Sequence, residues 1–387
     1  MESETPIIVE DGPIGTGDED AMDTLEITHD LQLTDEQKAK LVFHSFSNLM
    51  TVLMNVIGKC RAGINDETKP IFTETLSFVT NLGKSLTSLT TATTLLSSVP
   101  ELQPTIDREI SEARNVYNSL VARNVIHPNS NKLGSLFERN LNWLEKDLLP
   151  NVTLRAKEIM QRLSLPNNAW VMFKIDSLRH NLEQNLLAVA RGSSHISGIV
   201  FSEAERRKSG EMCVLLDFKG VLPGSIHLPP VYQDILRDLV MNARKYSLPG
   251  STIHASLLND GTTLTVRVQD NGMGIPLDEL EALVQFGQRG SNVESRRTLG
   301  GGFGLTKAYY FTKQFNGTFK VQTAIGVGTI FTLTIPCPKM FKLVMPCDNK
   351  VKHQQIEKKL RDTITISESA IFPHCAGKSK PMKKIKT

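Results

Sequence analysis

Three clusters in the second half of the chain carry residue types suited to binding phosphate and a base. The first comprises Asp238, Asn242 and Lys245, spaced i, i+4 and i+7, which places them on one face of a predicted helix. Side-chain oxygens beside a cation suit a polyphosphate that carries magnesium. By itself, however, this face could be that of any polar helix.

The other two clusters are rich in glycine. Residues 270–276 (Asp-Asn-Gly-Met-Gly-Ile-Pro) follow a predicted strand, and their glycines permit a turn with positive φ and close approach of a ligand. Asp270, at the strand end, could accept a hydrogen bond from a base amine. Residues 299–305 (Leu-Gly-Gly-Gly-Phe-Gly-Leu) open a predicted helix, where backbone N–H groups are available to phosphate. Either cluster alone indicates only a turn or a flexible loop.

A fourth candidate is His44, in a predicted amphipathic helix near the N-terminus. The apolar residues of this helix follow a 4-3-4-3 spacing, typical of the seam of a coiled coil or four-helix bundle: Val42, Phe46, Leu49, Leu53 and Val56. At ~100° per residue, His44 lies roughly 200° from Val42 and shares its polar face with Asn48. A lone histidine is usually structural or merely exposed, but this stripe is one that a catalytic domain could reach.

In their order and spacing, the three clusters resemble the nucleotide domain of the GHKL superfamily, which groups histidine kinases with gyrase-like, chaperone and mismatch-repair ATPases. Residues 238–247 resemble the N box, 270–276 the first glycine box and 300–305 the second. Residues 326–331 resemble the closing Gly-x-Gly-Thr strand of the family. The resemblance covers residues 175–337, and it implies an ATP-binding fold.

The resemblance also implies roles for the matching positions. Asn242 would hold the magnesium that bridges the phosphates, Lys245 would contact phosphate, and Tyr246 would pack beside the nucleotide. Asp270 would recognise the adenine amino group, supported by Thr329. The glycines and a neighbouring leucine would line the nucleotide and its lid: Gly272, Gly274, Gly300, Gly302, Gly304 and Leu305.

The segment around His44 resembles the H box of histidine kinases, in the variant His-Asp-Phe-x-Asn-Leu-Leu-Thr. His44 would be the phosphoacceptor, Asp238 would orient the attacking group, and Asn48 could orient a water for dephosphorylation of a partner. Ser45 departs from the family, which carries an acid there to hold the imidazole tautomer and accept its proton. Autophosphorylation would therefore be slow or lost.

A second departure is length, because about 200 residues separate His44 from Asn242. Extra helices must be inserted between them, and the helix that pairs with the His44 helix is left open. His180 is a rival acceptor, although its surroundings lack the H-box pattern.

The secondary-structure pattern changes after Pro166. Before it, we predict a first helix that opens with a Thr34–Gln37 capping box and runs to about Gly58 or Gly63. We predict further helices over about 70–97, 105–125 and 132–163. After it, we predict helices at 173–191, 230–246, 277–286 and 304–315, with strands at 212–218, 252–258, 262–269, 318–323 and 329–335.

The predicted fold class is α+β: a helical-bundle domain for dimerisation and phosphoacceptance, followed by a GHKL-type (Bergerat) α/β sandwich. The predicted domains are a disordered acidic N-terminus (1–30), the helical region with extra helices (31–170), the ATP-binding catalytic domain (171–338) and a basic tail (339–387). A two-position apolar stripe on one helix needs partner helices, so we also predict a homodimer through the Val42–Val56 seam.

Composition and charge indicate in which compartment the protein acts and which partners are improbable. The net charge is only +3, the five cysteines form no Cys-x-x-Cys pair, and the acidic N-terminus is unlike a signal peptide. No apolar run approaches the ~18 residues that a membrane span needs. We therefore predict a cytoplasmic protein with no membrane span, and nucleic acid is an improbable partner because the basic tail lacks interleaved aromatics.

These observations predict an ATP- and Mg²⁺-dependent protein histidine kinase that passes phosphate from His44 to a separate response regulator, with an input partner that the sequence leaves unnamed. Two alternatives stay open. One is a GHKL ATPase that works as a conformational switch, with Asp238 orienting water. The other is a dimeric scaffold that binds ATP without phosphorylating itself, which the serine at position 45 favours.

Overall fold

The computed structural model describes residues 22–62, 71–85, 96, 99–123, 132–166, 168–191, 198–209, 211–291 and 302–338. The chain divides into two compact units, Met1–Pro336 and Cys337–Thr387. Every helix and strand described below belongs to the first unit.

The helical region begins with α1, which spans Asp35–Ala62. Its start is a capping box, as predicted: the N–H of Gln37 donates to Thr34 Oγ1 at 3.2 Å, and the N–H of Thr34 donates to Gln37 Oε1 at 2.9 Å. The following helices are α2 (Thr73–Ser85), α3 (Val99–Ala122), α4 (Lys132–Trp143) and α5 (Leu149–Leu163), the last two joined by a π-helical turn at Leu144–Leu148.

The apolar seam of α1 is buried within this chain. Phe46 and Leu53 are 0% exposed, and they share one core with residues of α2, α3, α4 and α5. The expectation that the stripe needs partner helices is correct, but the inserted helices and α4–α5 supply them. Burial of the Val42–Val56 seam therefore requires no second copy, and the homodimer stays a prediction without this support.

Helix α1 also bears on the prediction that no segment spans a membrane. Its stretch Asp35–Arg61 is long and apolar enough to cross one by length and composition, which is weak evidence against the prediction that no apolar run approaches that length. The core helix of a soluble protein passes the same test. Here the apolar side packs on neighbouring helices, while His44 and Asn48 occupy the other side.

The second half is a sheet covered by helices. Its strands are β2 (Val171–Lys174), β3 (Ile199–Val200), β4 (Met212–Lys219), β5 (Ser225–Leu228), β6 (Thr252–Asn259), β7 (Thr263–Asp270), β8 (Thr318–Ala324) and β9 (Gly328–Pro336). Its helices are α6 (Ile175–Arg191), α7 (Glu203–Ser209), α8 (Val231–Tyr246), α9 (Leu280–Leu283) and α10 (Gly304–Gln314).

The main sheet has seven strands in the order β1-β8-β9-β7-β6-β4-β3, where β1 is Asp23–Glu26, and β2 pairs with β5 separately. Helices α6, α8 and α10 pack on it around one apolar core. This arrangement is the predicted α/β sandwich. The five predicted strands are present, whereas the predicted helix at 277–286 is only a 3-10 turn at Leu277–Glu279 followed by the short α9.

The N-terminal segment corrects the prediction of disorder over 1–30. Strand β1 pairs antiparallel with β8, in the register Asp23↔Thr323 to Glu26↔Lys320. Ile27 is 0% exposed, and its N–H donates to the carbonyl of Phe319 at 3.0 Å. The pairing with β8 and the burial of Ile27 anchor this polar segment, because the edge strand of a sheet offers unpaired backbone N–H and C=O groups. Residues 1–21 lie outside the described residues.

Candidate active site

The buried carboxyl of Asp270 lies at the end of β7. Its strand partner is Thr329 on β9, which is also buried, and Oδ1 accepts a hydrogen bond from the N–H of Gly272 at 2.9 Å. Burial raises the pKa of Asp270 to about 7, although the N–H groups of Gly272 and Thr329 oppose the shift. A buried acceptor of this kind can recognise one amine group on an apolar ligand.

The first glycine cluster packs against the end of α8. The N–H of Met273 donates to the carbonyl of Tyr246 at 3.2 Å, and Gly274 has a φ of +69°. A Cβ on Gly274 would lie 2.2 Å from the carbonyl oxygen of Ala324, so only glycine fits there. The ammonium of Lys245 lies 4.9 Å from the centre of the Tyr246 ring. Two predicted clusters, from α8 and from the loop after β7, thus form one wall.

The second glycine cluster closes on the same face of α8. A Cβ on Gly304 would lie 3.3 Å from Asn242 Nδ2 and 3.5 Å from the Asp238 Cβ. Gly302 has a φ of +72°, and a Cβ there would meet the carbonyl oxygen of Gln288 at 2.5 Å. Larger residues would therefore fill the space beside Asn242. Leu305 packs on the core beside it, and Gly300 lies outside the described residues.

His44 lies against this part of the nucleotide domain. Its ring contacts Phe303, between Gly302 and Gly304, edge-on with 4.8 Å between ring centres. The amide nitrogen of Asn48 lies 3.2 Å from His44 Nε2, so Asn48 donates and the ring proton is on Nδ1. The structure thus brings His44 and the second glycine cluster together, two parts of the predicted site that are far apart in the sequence.

The surroundings of His44 favour the neutral form of its imidazole. Burial lowers its pKa, the negative charge of Asp238 opposes that effect, and the positive charges of Lys307 and Lys245 add to the lowering. A neutral imidazole carries a lone pair that can attack phosphorus. His180, the rival acceptor, is exposed on α6.

A buried ion pair that the sequence did not predict lies beside His44. Lys307 is 0% exposed, and its Nζ lies 2.5 Å from Asp238 Oδ2. One sequence feature could have indicated a buried lysine: Lys307 is directly followed by Ala-Tyr-Tyr-Phe and interrupts the apolar side of α10. Lysines on helices are usually solvated, so this signal is weak.

Ser45 does not face its neighbouring histidine. Its hydroxyl accepts a hydrogen bond from Arg155, which is 2% exposed. Arg155 also pairs with Asp234 at 2.6 Å and with Glu158. The side chain at position 45 is therefore directed into a cluster of charged groups.

This charge cluster joins α1, α5 and α8. Asp234 Oδ2 lies 2.6 Å from Arg162, and Asp234 Oδ1 lies 3.1 Å from Arg237. Arg162 also donates to the carbonyl of Val42 at 3.0 Å. Burial works against the charge of Asp234, but the guanidinium groups of Arg155 and Arg162 outweigh it and hold its pKa well below the ordinary value. The cluster fixes the helical region to the nucleotide domain at the level of His44.

Comparison with known proteins identifies the second half. Residues 229–339 match the family described as histidine kinase-, DNA gyrase B- and HSP90-like ATPase. The sensor histidine kinase RppB of Synechocystis is 31% identical over 102 residues, which is 26% of this chain and 22% of that protein. The adaptive-response sensory kinase SasA of Synechococcus elongatus is 31% identical over 144 residues, 37% of this chain and 36% of that protein.

A longer match reaches back at least as far as α5. The sensor histidine kinase RcsC of Salmonella typhimurium is 25% identical over 230 residues, 59% of this chain and 24% of that protein. That match is longer than everything after β2, so it extends into the helices. The solved structure of the mycobacterial sensor histidine kinase MprB covers 43% of this chain and 97% of its own at 17% identity, with a TM-score of 0.30, too weak a likeness to bear on function.

Residues 229–339 thus belong to a GHKL-type ATPase domain. The relatives reported above are named as sensor histidine kinases or a sensory kinase, and this chain spans about a quarter to a third of their length.

Proposed function

We propose that this protein is an ATP-dependent protein histidine kinase that phosphorylates His44 and passes the phosphate to a separate response regulator. The observation that carries the proposal is the contact between His44 and Phe303. This contact supports the proposal because Phe303 lies between Gly302 and Gly304, in the glycine cluster that would cover the phosphates of a nucleotide bound at Asp270.

The residues around the site fit ATP. Asp270 accepts from the adenine amine, supported by Thr329, while Tyr246 and Lys245 line the nucleotide and its phosphates. The backbone around Gly272, Gly274, Gly302 and Gly304 leaves the room that side chains would fill. Helix α10 is eleven residues long and begins at Gly304, so its N-terminal N–H groups favour a phosphate there.

The residues also fit magnesium, in the way that nucleotide enzymes hold it. Among the described residues, no group of three or more His, Cys, Asp and Glu side chains could hold a metal alone. Magnesium prefers one or two protein oxygens plus substrate phosphates, and Asn242 would supply such an oxygen. When bound, the ion offsets the negative charge of the phosphates.

In phosphoryl transfer the protein mainly positions the reacting groups and stabilises their charge. His44 attacks the γ-phosphorus through Nε2, and the bond to the bridging oxygen of ADP breaks. Asn48 holds the ring by its hydrogen bond to Nε2 and must release that nitrogen for attack. The same amide could later orient a water towards a partner's phospho-aspartate.

Partners and compartment belong to the proposal. Phosphate would pass to the receiver domain of a response regulator, and the signal would arrive through an input partner. A homodimer would need a face other than the Val42–Val56 seam. A cytoplasmic location follows if α1 is the core helix that its packing suggests.

One observation favours a second candidate, a scaffold that binds ATP without phosphorylating itself. Ser45 is directed to Arg155 and so offers His44 no base. An ATPase switch, the third candidate, finds less support, because the Asp238 carboxylate that would orient water is paired with Lys307.

The test is incubation of the full chain with γ-labelled ATP and magnesium. We expect acid-labile, base-stable label that His44→Gln abolishes, with His180→Gln as the matched control that keeps it. Label that survives His44→Gln would move the acceptor elsewhere. No label in the wild type, with ATP binding intact by calorimetry, would favour the scaffold.

A further inference from the structure

Residues 22–30 form an N-terminal strap that lies on the nucleotide domain. Its strand β1 pairs with β8, and beyond β1 the backbone of His29 reaches α10. The carbonyl of His29 accepts a hydrogen bond from the hydroxyl of Tyr309, and the centres of the two rings lie 5.3 Å apart. Tyr309 is completely buried in the helix that begins at Gly304. The strap is therefore fixed to the helix that follows the second glycine cluster.

The side chain of His29 contacts a second segment, which precedes this cluster in the sequence. Its Nε2 lies 2.7 Å from the side-chain nitrogen of Gln285. An amide nitrogen is a donor, so the ring nitrogen accepts and the ring proton is on Nδ1. Gln285 follows the buried Val284, which belongs to the core of the nucleotide domain. One histidine thus joins the segments before and after the second glycine cluster.

The backbone of Gln285 extends this connection to the glycines. Its carbonyl accepts a hydrogen bond from Thr306 Oγ1 at 2.9 Å, and Thr306 is completely buried. The N–H of Gln288 donates to the same carbonyl at 3.4 Å, and a Cβ on Gly302 would meet the carbonyl oxygen of Gln288 at 2.5 Å. A shift of Gln285 would therefore move the groups against which Gly302 and Thr306 pack.

Attachment of the strap does not depend on the side chain of His29. Leu25 and Ile27 pack on the apolar core, and β1 has its backbone partners on β8. A single hydrogen bond between half-buried side chains adds little to the stability of the whole domain. The effect of the bond to His29 is directional, because it selects one orientation of a flexible glutamine side chain and of the backbone that carries it.

We propose that His29 is a positioning residue for nucleotide binding, which acts through Gln285 and Thr306 to hold the second glycine cluster in the conformation that receives the phosphates. The inference rests on the proposed use of ATP. His29 acts at a distance, since its described contacts are with Gln285 and Tyr309. The cluster would contact the phosphates before and during transfer alike. Loss of His29 should therefore weaken ATP binding and leave the rate at saturating ATP unchanged.

The experiment is a double-mutant cycle on the ATP dissociation constant, measured by calorimetry on the full chain with magnesium. The variants are His29→Ala, Gln285→Ala and the double variant, and each keeps both backbone carbonyls. We expect each single variant to lose about 3–10-fold in affinity, the contribution of one hydrogen bond. The double variant should lose no more than either single variant, because both act through one contact. His29→Gln, which retains an acceptor, should lose less than His29→Ala.

The rate of labelling with γ-labelled ATP separates positioning from general damage. The ATP concentration that gives half the maximal rate should rise with the dissociation constant, while the rate at saturating ATP stays within about twofold of the wild type. His180→Ala, which changes an exposed histidine on α6, is the matched control and should alter neither quantity. Unchanged ATP affinity in His29→Ala, or losses that multiply in the double variant, would overturn the inference.

An engineered disulfide tests whether attachment of the strap, rather than His29, determines ATP affinity. Glu26 and Lys320 are exposed and lie opposite each other on β1 and β8. Since the N–H of Ile27 donates to the carbonyl of Phe319, Glu26 and Lys320 form the adjacent non-hydrogen-bonded pair, whose side chains are closer. Glu26→Cys with Lys320→Cys would lock the strap in place. We expect His29→Ala to bind ATP as weakly with this disulfide oxidised as with it reduced, and recovery on oxidation would overturn the role of His29.

Failure of the proposed function would give different results in the same assays. A wild type that does not bind ATP would overturn the nucleotide site itself. A wild type that binds ATP but takes up no label would overturn only the kinase function, and the binding cycle would still decide whether His29 positions the second glycine cluster.

Discussion

The helical region and the nucleotide domain differ in which contacts determine their residues: neighbouring atoms in the nucleotide domain, and helices distant in sequence in the helical region. In the nucleotide domain the decisive residues lie in short motifs, and Gly274 or Gly302 is required by atoms a few ångströms away. In the helical region α1 resembles a family helix, but its seam is covered by helices of the same chain. Residues 229–339 thus match a known family in sequence, while the seam of α1 is buried by helices of this same chain.

The largest expected effect is a loss of stability, and it tests whether the Val42–Val56 seam is buried within one chain. Phe46→Lys together with Leu53→Lys places two charges at fully buried positions, and each such change costs several kcal/mol. We expect the helical region to unfold or lose most of its stability in thermal unfolding. Leu136→Lys, at an exposed apolar position on α4, is the control and should change little. A stable double variant that merely passes from dimer to monomer in light scattering would place the seam between copies.

The next effect concerns the charge cluster that joins the two regions. Asp234→Asn leaves Arg155, Arg162 and Arg237 without their shared carboxylate, and breaking a buried pair costs about 3–5 kcal/mol. Chemical denaturation should show that loss.

The matched control for Asp234→Asn is Asp217→Asn, which removes the exposed pair with Lys219. That variant should be nearly as stable as the wild type, because exposed pairs contribute little. Equal stabilities for the two variants would mean that the cluster does not hold the regions together.

A smaller effect tests the nucleotide domain through Asp270. Asp270→Asn keeps one acceptor but turns donors towards the adenine amine, which should cost about 1–3 kcal/mol, or ~5–150-fold in ATP affinity. Unchanged calorimetric binding would remove the adenine assignment.

The affinity of the wild type should also depend on pH. Burial raises the pKa of Asp270 to about 7, and the amine prefers the ionised carboxylate, so affinity should weaken as pH falls below about 7. The same shift makes folding stability fall as pH rises from the ordinary carboxyl range towards 7, because the native state keeps the proton longer. In Asp270→Asn both dependences should flatten.

The smallest effect concerns Ser45. From the sequence alone, Ser45→Asp would restore the family acid and speed labelling ~10-fold. In the structure a carboxylate there would meet Arg155, so we expect a change below about threefold. Ser45→Ala, which cannot pair, is the control in the same rate assay. A tenfold gain would mean that residue 45 can turn towards His44.

The sequence predicted those parts of the molecule that local rules determine. The strands, helix α8, the glycine clusters and Asp270 follow from alternation, spacing and turn chemistry over a few residues. Arg155 and Lys307 could not be predicted, because a charge on a helix looks solvated until its packing partner is known. Asp234 is 79 residues from Arg155, and no local pattern joins them.

Strand β1 has a consequence for reaction kinetics. It anchors the chain on the nucleotide domain at Glu26, and only eight residues separate it from the start of α1. A link of that length reaches at most about 28 Å, and short links give effective concentrations on the order of millimolar. At micromolar protein, a nucleotide site would therefore meet its own histidine about a thousand times more often than that of a neighbour. We expect the labelling rate per chain to be independent of protein concentration.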